Sequence, residues 1–592
     1  MAEEIQHTEL VWSGKKKEID RIPLPFQVIE TVNESKADRD NRQMELLSGK
    51  KTTGKWRNKL IWGDNKLVMA SLLKEFAGKI DLIYIDPPFA TGADFSYKTR
   101  VNGEDVVKEP SIIEELAYRD TWGKGMDSYL QMMYDRLVLM KDLLSENGSI
   151  YVHLDWHVGH YVKIIMDEIF GKGNCLNEVV WYYRRWNIAA RVFARSHDVI
   201  LFYAKLAGQH IFKNLYILKS EKSSAQGKAW KSVFDEEGRR HSILTGESTK
   251  GVPMPDAWEI SIINPVGLER LDFPTQKPES LLDRIVKASS NEGDIVADFF
   301  CGSGTTGAVA EKLGRRWIMC DLGRFAIHTT RKRLLQIKDC QPFEILNLGK
   351  YERQYWYTTI SSGKAKEQSI IEYIRFILSL YKAEPISGFQ HLHGRKAGRV
   401  VHVGAVDAPV TLAEVEEVID ECKKAKQDKI DILGWEFEMG IDAEVEKQAK
   451  ATGVKLRLLK IPREVMEKRT AELGQVEFYD LAALRVDINI NKQDVTVEIK
   501  HFYIPHLDLV KEEEVRQKIK KWQDYIDYWA IDWDFKEDTF HNQWQDFRTK
   551  KEPSLELKAE YTYGKPGKYK VVVKVVDVFG NDTTKLEEVT IK

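Results

Sequence analysis

The sequence predicts an α/β protein built on a mostly parallel β-sheet, and three features carry this prediction. Short apolar runs, such as residues 81–85 and 294–299, have the length of buried strands. Amphipathic helical patterns, such as residues 66–76, separate these runs. The runs end abruptly at acidic, proline or glycine residues, which is typical of the carboxyl end of a buried parallel strand. Strands that alternate with helices indicate a sheet covered on both faces.

The other elements follow in chain order. Strands are predicted at residues 59–62, 149–154 and 316–320, and helices at 126–146, 160–170, 280–290 and from the glycine-rich turn to 313. After residue 340, strands at 399–405, 430–436 and 454–461 with helices at 412–426 and 442–450 predict a second, smaller α/β unit. Period-two alternation over residues 554–591 predicts a β-rich tail.

Length and composition exclude several classes of protein. A chain of 592 residues has room for about three or four domains. Its longest apolar run is six residues, 199–204, whereas a membrane helix needs about 20. The first 30 residues lack a signal-peptide apolar stretch. The five cysteines are scattered and form no CxxC pair, which argues against a zinc ribbon or a disulfide scaffold. These features predict a cytoplasmic protein with no membrane partner and no metal site.

The net charge of −2 hides a basic segment. Residues 178–250 contain thirteen Lys and Arg against seven Asp and Glu, and they include Trp181, Tyr182, Tyr183, Trp186, Phe193, Phe202 and Tyr203. Basic residues interleaved with aromatic residues suit phosphate contact and base stacking. The same pattern is also typical of a solvated face over a buried aromatic core.

A glycine-rich turn follows the predicted strand at 294–299. The sequence from Asp298 through Gly302 and Gly304 to Thr306 runs from a strand into a helix, as in loops that approach a nucleotide-like cofactor. It lacks the third glycine of a dinucleotide fingerprint, and the chain contains no GxxxxGK[ST] triphosphate motif. Asp321 ends the next strand, where an acid can accept hydrogen bonds from ribose hydroxyls. The pattern indicates a nucleoside cofactor.

A second motif, Asp86-Pro87-Pro88-Phe89, follows the strand at 81–85. The prolines fix the backbone and remove two N–H donors, which leaves carbonyl oxygens and the Asp86 carboxylate as acceptors. Such a set complements an exocyclic amine on a planar base, and Phe89 offers a stacking face. The alternative interpretation is a rigid loop whose Asp caps a helix.

These motifs resemble those of amino-group DNA methyltransferases. Residues 86–89 resemble the catalytic motif, residues 298–306 the S-adenosylmethionine motif, and residues 273–278 the segment that usually precedes it; residues 63–65 and 148–153 also fit. The catalytic motif comes first, which marks the permuted beta group that includes the Mod subunits of type III restriction–modification systems. The resemblance implies a Rossmann-like methyltransferase sheet with permuted motifs and an inserted target-recognition domain.

The resemblance also implies a role for each matching residue. Asp86 and the Pro87 carbonyl would accept hydrogen bonds from the target amine, within a catalytic set of Asp86, Pro87, Pro88 and Phe89. Phe89, in place of the more frequent tyrosine, would stack on the extruded base. The implied cofactor-binding residues are Asp64, Lys277, Pro278, Asp298, Phe299, Gly302, Gly304, Thr305 and Asp321. The cofactor would be S-adenosylmethionine, and an Asp-first motif favours adenine N6 as the acceptor.

In this context the basic segment is interpreted as the DNA-recognition insertion. The candidate DNA contacts are Arg184, Arg185, Arg191, Arg195, Arg239 and Arg240. The expected partners are double-stranded DNA, a second copy of the chain in a homodimer, and a restriction/helicase subunit. The predicted division is an N-terminal arm at 1–55, methyltransferase parts at 56–177 and 265–340, a recognition insertion at 178–264, a helical linker at 341–395, an α/β accessory domain at 396–550 and a β-rich tail at 551–592.

Three alternatives stay open. Cytosine N4 methylation would use the same site, and a DNA-binding specificity subunit would hold the cofactor without turnover. Asp487 with Glu498 and Lys500 has the acid-spacer-ExK form of metal-dependent nucleases, although an alternating surface strand explains the same residues.

Overall fold

The computed structural model describes residues 8–34, 56–88, 97–101, 104–108, 125–183, 191–217, 228–234, 240–248, 252–265, 267–360, 366–438, 441, 451–466, 476, 478–503, 520–536 and 539–592. No helix among these residues is long and apolar enough to cross a bilayer. All five cysteines lie within them and are free thiols.

In the described part of the first 348 residues there are sixteen strands and six α-helices. The strands are β1 (Gln27–Val32), β2 (Asn58–Trp62), β3 (Ile80–Ile85), β4 (Tyr97–Val101), β5 (Glu104–Lys108), β6 (Leu144–Leu154), β7 (Cys175–Tyr182), β8 (His197–Ala204), β9 (Tyr216–Ile217), β10 (Lys228–Phe234), β11 (Arg240–Ser248), β12 (Val252–Pro253), β13 (Ala257–Glu259), β14 (Ile295–Asp298), β15 (Arg316–Asp321) and β16 (Phe343–Asn347). The helices are α1 (Asn65–Phe76), α2 (Met126–Leu143), α3 (Gly159–Phe170), α4 (Glu279–Ser289), α5 (Thr305–Lys312) and α6 (Arg324–Leu335).

Residues 349 onward supply the remaining strands and α-helices of the described chain. A smaller α/β unit contains α7 (Gly349–Ile360), α8 (Lys366–Tyr381), β17 (Glu384–Pro385), β18 (Gly394–Lys396), β19 (Arg399–Val403), α9 (Leu412–Lys424), β20 (Lys429–Gly434), β21 (Lys455–Lys460) and β22 (Tyr479–Asp480). The C-terminal strands are β23 (Ala483–Asn491), β24 (Asp494–Tyr503), β25 (Ile526–Asp532), β26 (Phe540–Asn542), β27 (Trp544–Phe547), β28 (Lys558–Thr562), β29 (Gly567–Asp577) and β30 (Asp582–Ile591).

An eleven-stranded sheet forms the centre of the molecule, in the order β13-β7-β8-β6-β3-β14-β15-β2-β16-β1-β26. The strands from β6 to β16 run parallel, whereas β8 is antiparallel to both of its neighbours. One hydrophobic core contains the apolar sides of α1, α2 and α3, and a second contains those of α4, α5 and α6. Both faces are therefore covered, and the predicted α/β fold class is confirmed.

The sheet extends further along the chain than the sequence indicates. β1 lies in the segment interpreted as an irregular arm, and β16 lies in the predicted linker. β7, β8 and β13 belong to the segment interpreted as an insertion, yet they join the central sheet. β1 has no readable apolar pattern because Glu30 is fully buried in it; the charge is compensated by Lys574, at 2.8 Å, and Arg331, at 3.4 Å.

Helix α2 is shorter than predicted. The helical pattern extends to residue 146, but the helix ends at Leu143 and β6 begins at the next residue. The predicted helix at residues 442–450 lies outside the described residues.

The predicted smaller α/β unit forms a six-stranded sheet in which β19, β20 and β21 are parallel.

The predicted tail belongs to a larger β-structure. β28 pairs with β24, and β29 pairs with β25, so residues 558–591 complete two sheets that share one hydrophobic core. This β-unit docks on the central sheet, since β26 pairs with β1. Asp527 also accepts hydrogen bonds from His328, at 2.7 Å, and Lys332, at 2.8 Å, both on α6. The sequence does not indicate this contact because its partners are about 200 residues apart.

Candidate active site

The four acidic residues singled out from the sequence lie at one edge of the central sheet. β3, β14, β15 and β2 are consecutive parallel neighbours, so their carboxyl ends meet at that edge. Asp86 follows β3, Asp298 and Asp321 end β14 and β15, and Asp64 caps the helix after β2. Open α/β sheets bind their ligands at this edge.

Among the residues that the structure describes, the carboxylate of Asp86 is held through one oxygen. Oδ2 forms a charge-assisted hydrogen bond with Nζ of Lys277, which precedes α4. Oδ1 is buried, has no hydrogen-bond partner among the described residues, and lies 3.9 Å from Nδ1 of His153. A buried acceptor with no donor is costly, so Oδ1 is ready to receive a donor from a ligand.

Of the three other residues of this motif, the structure describes Pro87 and Pro88. Pro87 is buried and Pro88 is half-buried, and neither has a backbone N–H to compete with a ligand donor. Phe89 lies outside the described residues, so its predicted stacking role stays a prediction.

A buried polar chain lies beside Asp86. Nδ1 of His153 is 2.8 Å from the Tyr84 hydroxyl, and Nε2 is 3.3 Å from Oδ2 of Asp198. The Tyr183 hydroxyl donates to Oδ1 of Asp198 at 3.1 Å. Burial raises the pKa of Asp198, but the hydrogen bond and charge of His153 bring it below its usual value. Burial also holds the pKa of Tyr84 far above its usual value.

Sequence reasoning missed this chain of residues. A signal was present, because His153 and Asp198 are polar residues beside strongly apolar strand sequences. Their separation by 45 residues hides the contact, which forms only when β6 and β8 pair in antiparallel register.

A cavity of about 340 Å³ opens next to the Asp86–Lys277 pair. Its lining includes Trp181, Tyr183, Asp198, Phe273, Lys277 and Pro278. This volume is within the range of small-molecule sites. Lys277 and Pro278, predicted to line the cofactor pocket, therefore border a cavity, and the Lys277 ammonium points to the Asp86 carboxylate.

The glycine-rich turn after β14 requires glycine at two positions. Gly302 and Gly304 have φ values of 50° and 71°, which favour glycine. A Cβ at Gly304 would lie 2.5 Å from Cγ2 of Thr330 on α6. The Gly302 N–H donates to Oδ2 of Asp321 at 2.8 Å, while Oδ1 accepts from the Gly323 N–H at 2.9 Å. The turn is therefore tightly packed against α6 at Gly304, and Asp321 borders it.

Other residues predicted to bind the cofactor hold the turn in place. Asp298 accepts hydrogen bonds from the Phe300 N–H at 3.0 Å and the Thr306 hydroxyl at 2.6 Å. Burial, with smaller contributions from Asp86 and Asp321, raises the pKa of Asp298 to about 7.

Two further residues predicted to bind the cofactor, Thr305 and Phe299, also point into the protein. The Thr305 hydroxyl donates to the Lys277 carbonyl at 3.1 Å and accepts from Arg333 at 2.8 Å. The Phe299 ring is fully buried in the core, and its carbonyl accepts from Asn65 at 2.8 Å.

Asp64 lies at the far side of the same edge. Its carboxylate caps α1 by accepting from the Lys66 N–H at 2.7 Å, and Arg136 lies 3.4 Å away. Burial raises the pKa of Asp64, but Arg136 and Arg463 bring it below its usual value. Arg463 belongs to the smaller α/β unit, so that unit contributes charge to this edge.

The six candidate DNA-contacting arginines are only partly described. Arg191 and Arg195 are exposed in the loop before β8, at the same edge of the sheet as Asp86. Arg184, Arg185 and Arg239 lie outside the described residues. Arg240 begins β11, which pairs with β10 in a two-stranded ribbon.

The residues behind the nuclease alternative, Asp487, Glu498 and Lys500, lie on a β-hairpin. Asp487 and Glu498 face each other across β23 and β24, and Nζ of Lys500 lies 2.7 Å from Glu498. The lysine thus neutralises the acidic residue on a half-exposed hairpin. In the part of the chain that the structure describes, no group of three or more His, Cys, Asp or Glu residues could hold a metal ion.

Comparison with known proteins decides the family. The family model N6_N4_Mtase, described as DNA methylase, matches residues 80–332. The type II methyltransferase M.EcaI of Enterobacter cloacae is 30% identical over 47% of this chain and 69% of its own length. The chain belongs to this DNA methylase family.

Other members of the family are similar over the same share of the chain. The StyLTI Mod subunit, a type III restriction-modification enzyme of Salmonella typhimurium, is 28% identical over 46% of this chain and 53% of its own length. The DNA adenine methyltransferase YhdJ of Escherichia coli is 27% identical over 46% of this chain and 82% of its own length. This DNA methylase therefore spans about half the length of the Mod subunit that it matches.

Proposed function

We propose that this DNA methylase transfers a methyl group from S-adenosylmethionine to N6 of adenine in double-stranded DNA, within a restriction–modification system. The buried Oδ1 of Asp86, which has no hydrogen-bond partner in the part of the chain that the structure describes, supports this proposal most directly. An exocyclic amino group supplies the N–H donor that this oxygen lacks.

The cofactor residues fit S-adenosylmethionine. Gly302 and Gly304 give the turn after β14 a backbone conformation that favours glycine, and Asp321 borders the same turn. When bound, the cofactor supplies an electrophilic methyl group on a sulfonium centre. The backbone of the turn would lie against the methionine moiety, and Asp321 would accept from the ribose hydroxyls through its remaining lone pairs. Asp298 and Thr305 would act by holding the turn.

The chain's own part in the reaction is to align the amine. The lone pair of an aromatic amine is delocalised into the ring, so the amine is a poor nucleophile. Oδ1 of Asp86 and the Pro87 carbonyl would accept the two N–H groups, favour a tetrahedral nitrogen and aim its lone pair at the methyl group. Lys277 holds the carboxylate in this orientation through Oδ2.

The target base must leave the duplex, because Asp86 lies in a largely enclosed position. Extrusion costs about a few kcal/mol, which is the free energy needed to unpair and unstack one base. The cavity beside Lys277, which is lined by Trp181, Tyr183 and Phe273, offers apolar walls close to Asp86. We assign the extruded base to this region of the site.

Adenine is favoured over cytosine by two observations. The motif begins with Asp86, as in adenine-specific members of the group that it resembles. YhdJ, which is a DNA adenine methyltransferase by name, matches 46% of the length of this chain. The similarity to Mod subunits supports a restriction subunit as a partner chain.

The test is methyl transfer to genomic DNA, which contains diverse recognition sequences. Purified protein is incubated with DNA and isotopically labelled S-adenosylmethionine, and the nucleosides are analysed by mass spectrometry. Labelled N6-methyladenine is expected from the wild type and from the control Asp283→Ala, an exposed acid on α4, but not from Asp86→Ala.

Two other outcomes would overturn the proposal. Labelled N4-methylcytosine would replace the base assignment while keeping the site. Cofactor binding with no labelled base, in the presence of a co-purified partner as well as alone, would instead identify a specificity subunit without turnover.

A further inference from the structure

An exposed aromatic and basic ridge lies at the same sheet edge as Asp86. We define the ridge as Trp156, Arg191, Phe193 and Arg195. Phe193 is 98% exposed and Trp156 is 44% exposed, and the Arg195 guanidinium lies 3.7 Å from the centre of the Trp156 ring.

Strand pairing fixes the position of the ridge. β6 and β8 are antiparallel, with Leu154 opposite Val199, so the end of β6 and the start of β8 lie together. Trp156 follows β6, and Phe193 precedes β8 by four residues. Asp198, which is linked to Asp86 through the ring of His153, is five residues after Phe193, or about 18 Å of fully extended chain at most.

The exposure of Phe193 needs an explanation. A fully exposed phenylalanine gains nothing for the free protein, because its ring is hydrated instead of packed. Arg191 and Arg195 flank it in the sequence, and Asp198, five residues further on, belongs to the polar chain beside Asp86. An apolar ring flanked by arginines matches a ligand with a polyanionic rim and an apolar interior, which is the chemistry of stacked bases between two phosphate backbones.

We propose that Phe193 enters the DNA helix and fills the space left by the extruded base, while Arg191 and Arg195 contact the flanking phosphates. This inference rests on the proposed function, because a wedge is needed only if a base is extruded. Wedge side chains that separate base steps are typically apolar, and flanking cations supply charge without sequence information. Trp156 supports Arg195 by stacking on its guanidinium.

The test compares Phe193→Ala with two matched controls. Phe212→Ala removes another exposed phenylalanine, whose side chain is 51% exposed. Phe212 lies at the opposite edge of the sheet, because the N–H of the preceding residue, Ile211, donates to the Asn147 carbonyl near the start of β6. Phe193→Trp keeps an aromatic ring at the ridge. The methylated sequence is first read from genomic DNA treated with the wild type, and that sequence is then built into a synthetic duplex.

Two substrates separate a wedge from a general effect. On the matched duplex, Phe193→Ala should lower kcat/KM by about 10- to 100-fold, the loss expected for one stacking contact. On a duplex with a mismatch at the target base, which is already destabilised, the variant should approach the wild type. 2-Aminopurine at the target should fluoresce with the wild type, Phe212→Ala and Phe193→Trp, but only weakly with Phe193→Ala.

The outcomes distinguish this inference from the proposed function. If the wild type methylates no DNA, the proposed function fails. If the wild type is active and Phe193→Ala equals it on the matched duplex, the wedge is refuted and the ring must serve another contact. A loss of the same size on both duplexes would also refute the wedge, because it would indicate weaker DNA binding without a role in extrusion.

Discussion

The ion pair between Lys277 and Asp86 makes a quantitative prediction for Lys277→Met. The substitution removes the ammonium that binds Oδ2 and leaves the largely buried carboxylate without a hydrogen-bond donor from the described part of the chain. Both side chains are only about an eighth exposed, at 12% and 13%, so water compensates little. Removing one partner of a buried pair typically costs about 3 kcal/mol or more, and partial exposure reduces the cost here to about 2–3 kcal/mol.

This loss should appear in the rate of methyl transfer. If the misaligned carboxylate is felt fully in the transition state, 2–3 kcal/mol corresponds to an about 30- to 150-fold lower kcat. Single-turnover methylation of DNA with radiolabelled cofactor measures this rate. Lys287→Met is the matched control: Lys287 also forms a carboxylate pair, with Asp283 at 2.8 Å, but on the exposed side of α4. The control should keep the wild-type rate because exposed pairs contribute little.

A specific result would refute this reasoning. If Lys277→Met transferred methyl groups at the wild-type rate, Lys277 could not be what orients Asp86. If Lys277→Met and Lys287→Met lost equal activity, the effect would arise from helix α4 as a whole. Lys277→Arg retains the charge and should recover part of the rate.

Three further predictions concern other parts of the molecule. Gly304→Ala should weaken cofactor binding in isothermal titration by at least about tenfold, since its Cβ would meet Thr330 at 2.5 Å with φ at 71°. Tyr84→Phe should lower kcat about tenfold, whereas Tyr151→Phe, which removes a similarly buried hydroxyl bonded to Ser289, should change stability only. From pH 6.5 to 4, urea unfolding should show that the wild type loses about 3 kcal/mol more stability than His328→Asn does.

The last prediction follows from the sign of the shift. Burial lowers the pKa of His328 to about 4, from about 6.5 in the unfolded chain. Between these values the unfolded state binds a proton at His328 that the folded state does not, so the contribution of His328 to stability is complete above pH 6.5 and is lost as the pH falls. Equal pH dependence of the wild type and His328→Asn would contradict it. Unchanged cofactor affinity in Gly304→Ala, or equal kinetic losses in Tyr84→Phe and Tyr151→Phe, would contradict the other two.

Much of the fold was readable because its signals are local. β3 and β14 are continuous apolar runs that end at Asp86 and Asp298, and both strands lie within one residue of their predicted bounds. β1 was not readable, because Glu30 in its centre is tolerated only through Lys574 and Arg331, several hundred residues away. The β-rich tail was recognised as β-structure, but its partners β24 and β25 lie earlier in the chain.

The sequence by itself determined the chemistry that this protein carries. The residue types and their order, from Asp86 through Gly302 to Asp321, predict an amine acceptor set and a cofactor turn, because each motif depends on a few adjacent residues. Tertiary structure alone decided how these groups are used. It turned Thr305 and Asp298 inward, joined Lys277 to Asp86 across 191 residues, and brought His153 to Asp198. Such contacts depend on strand order and register, which local sequence does not encode.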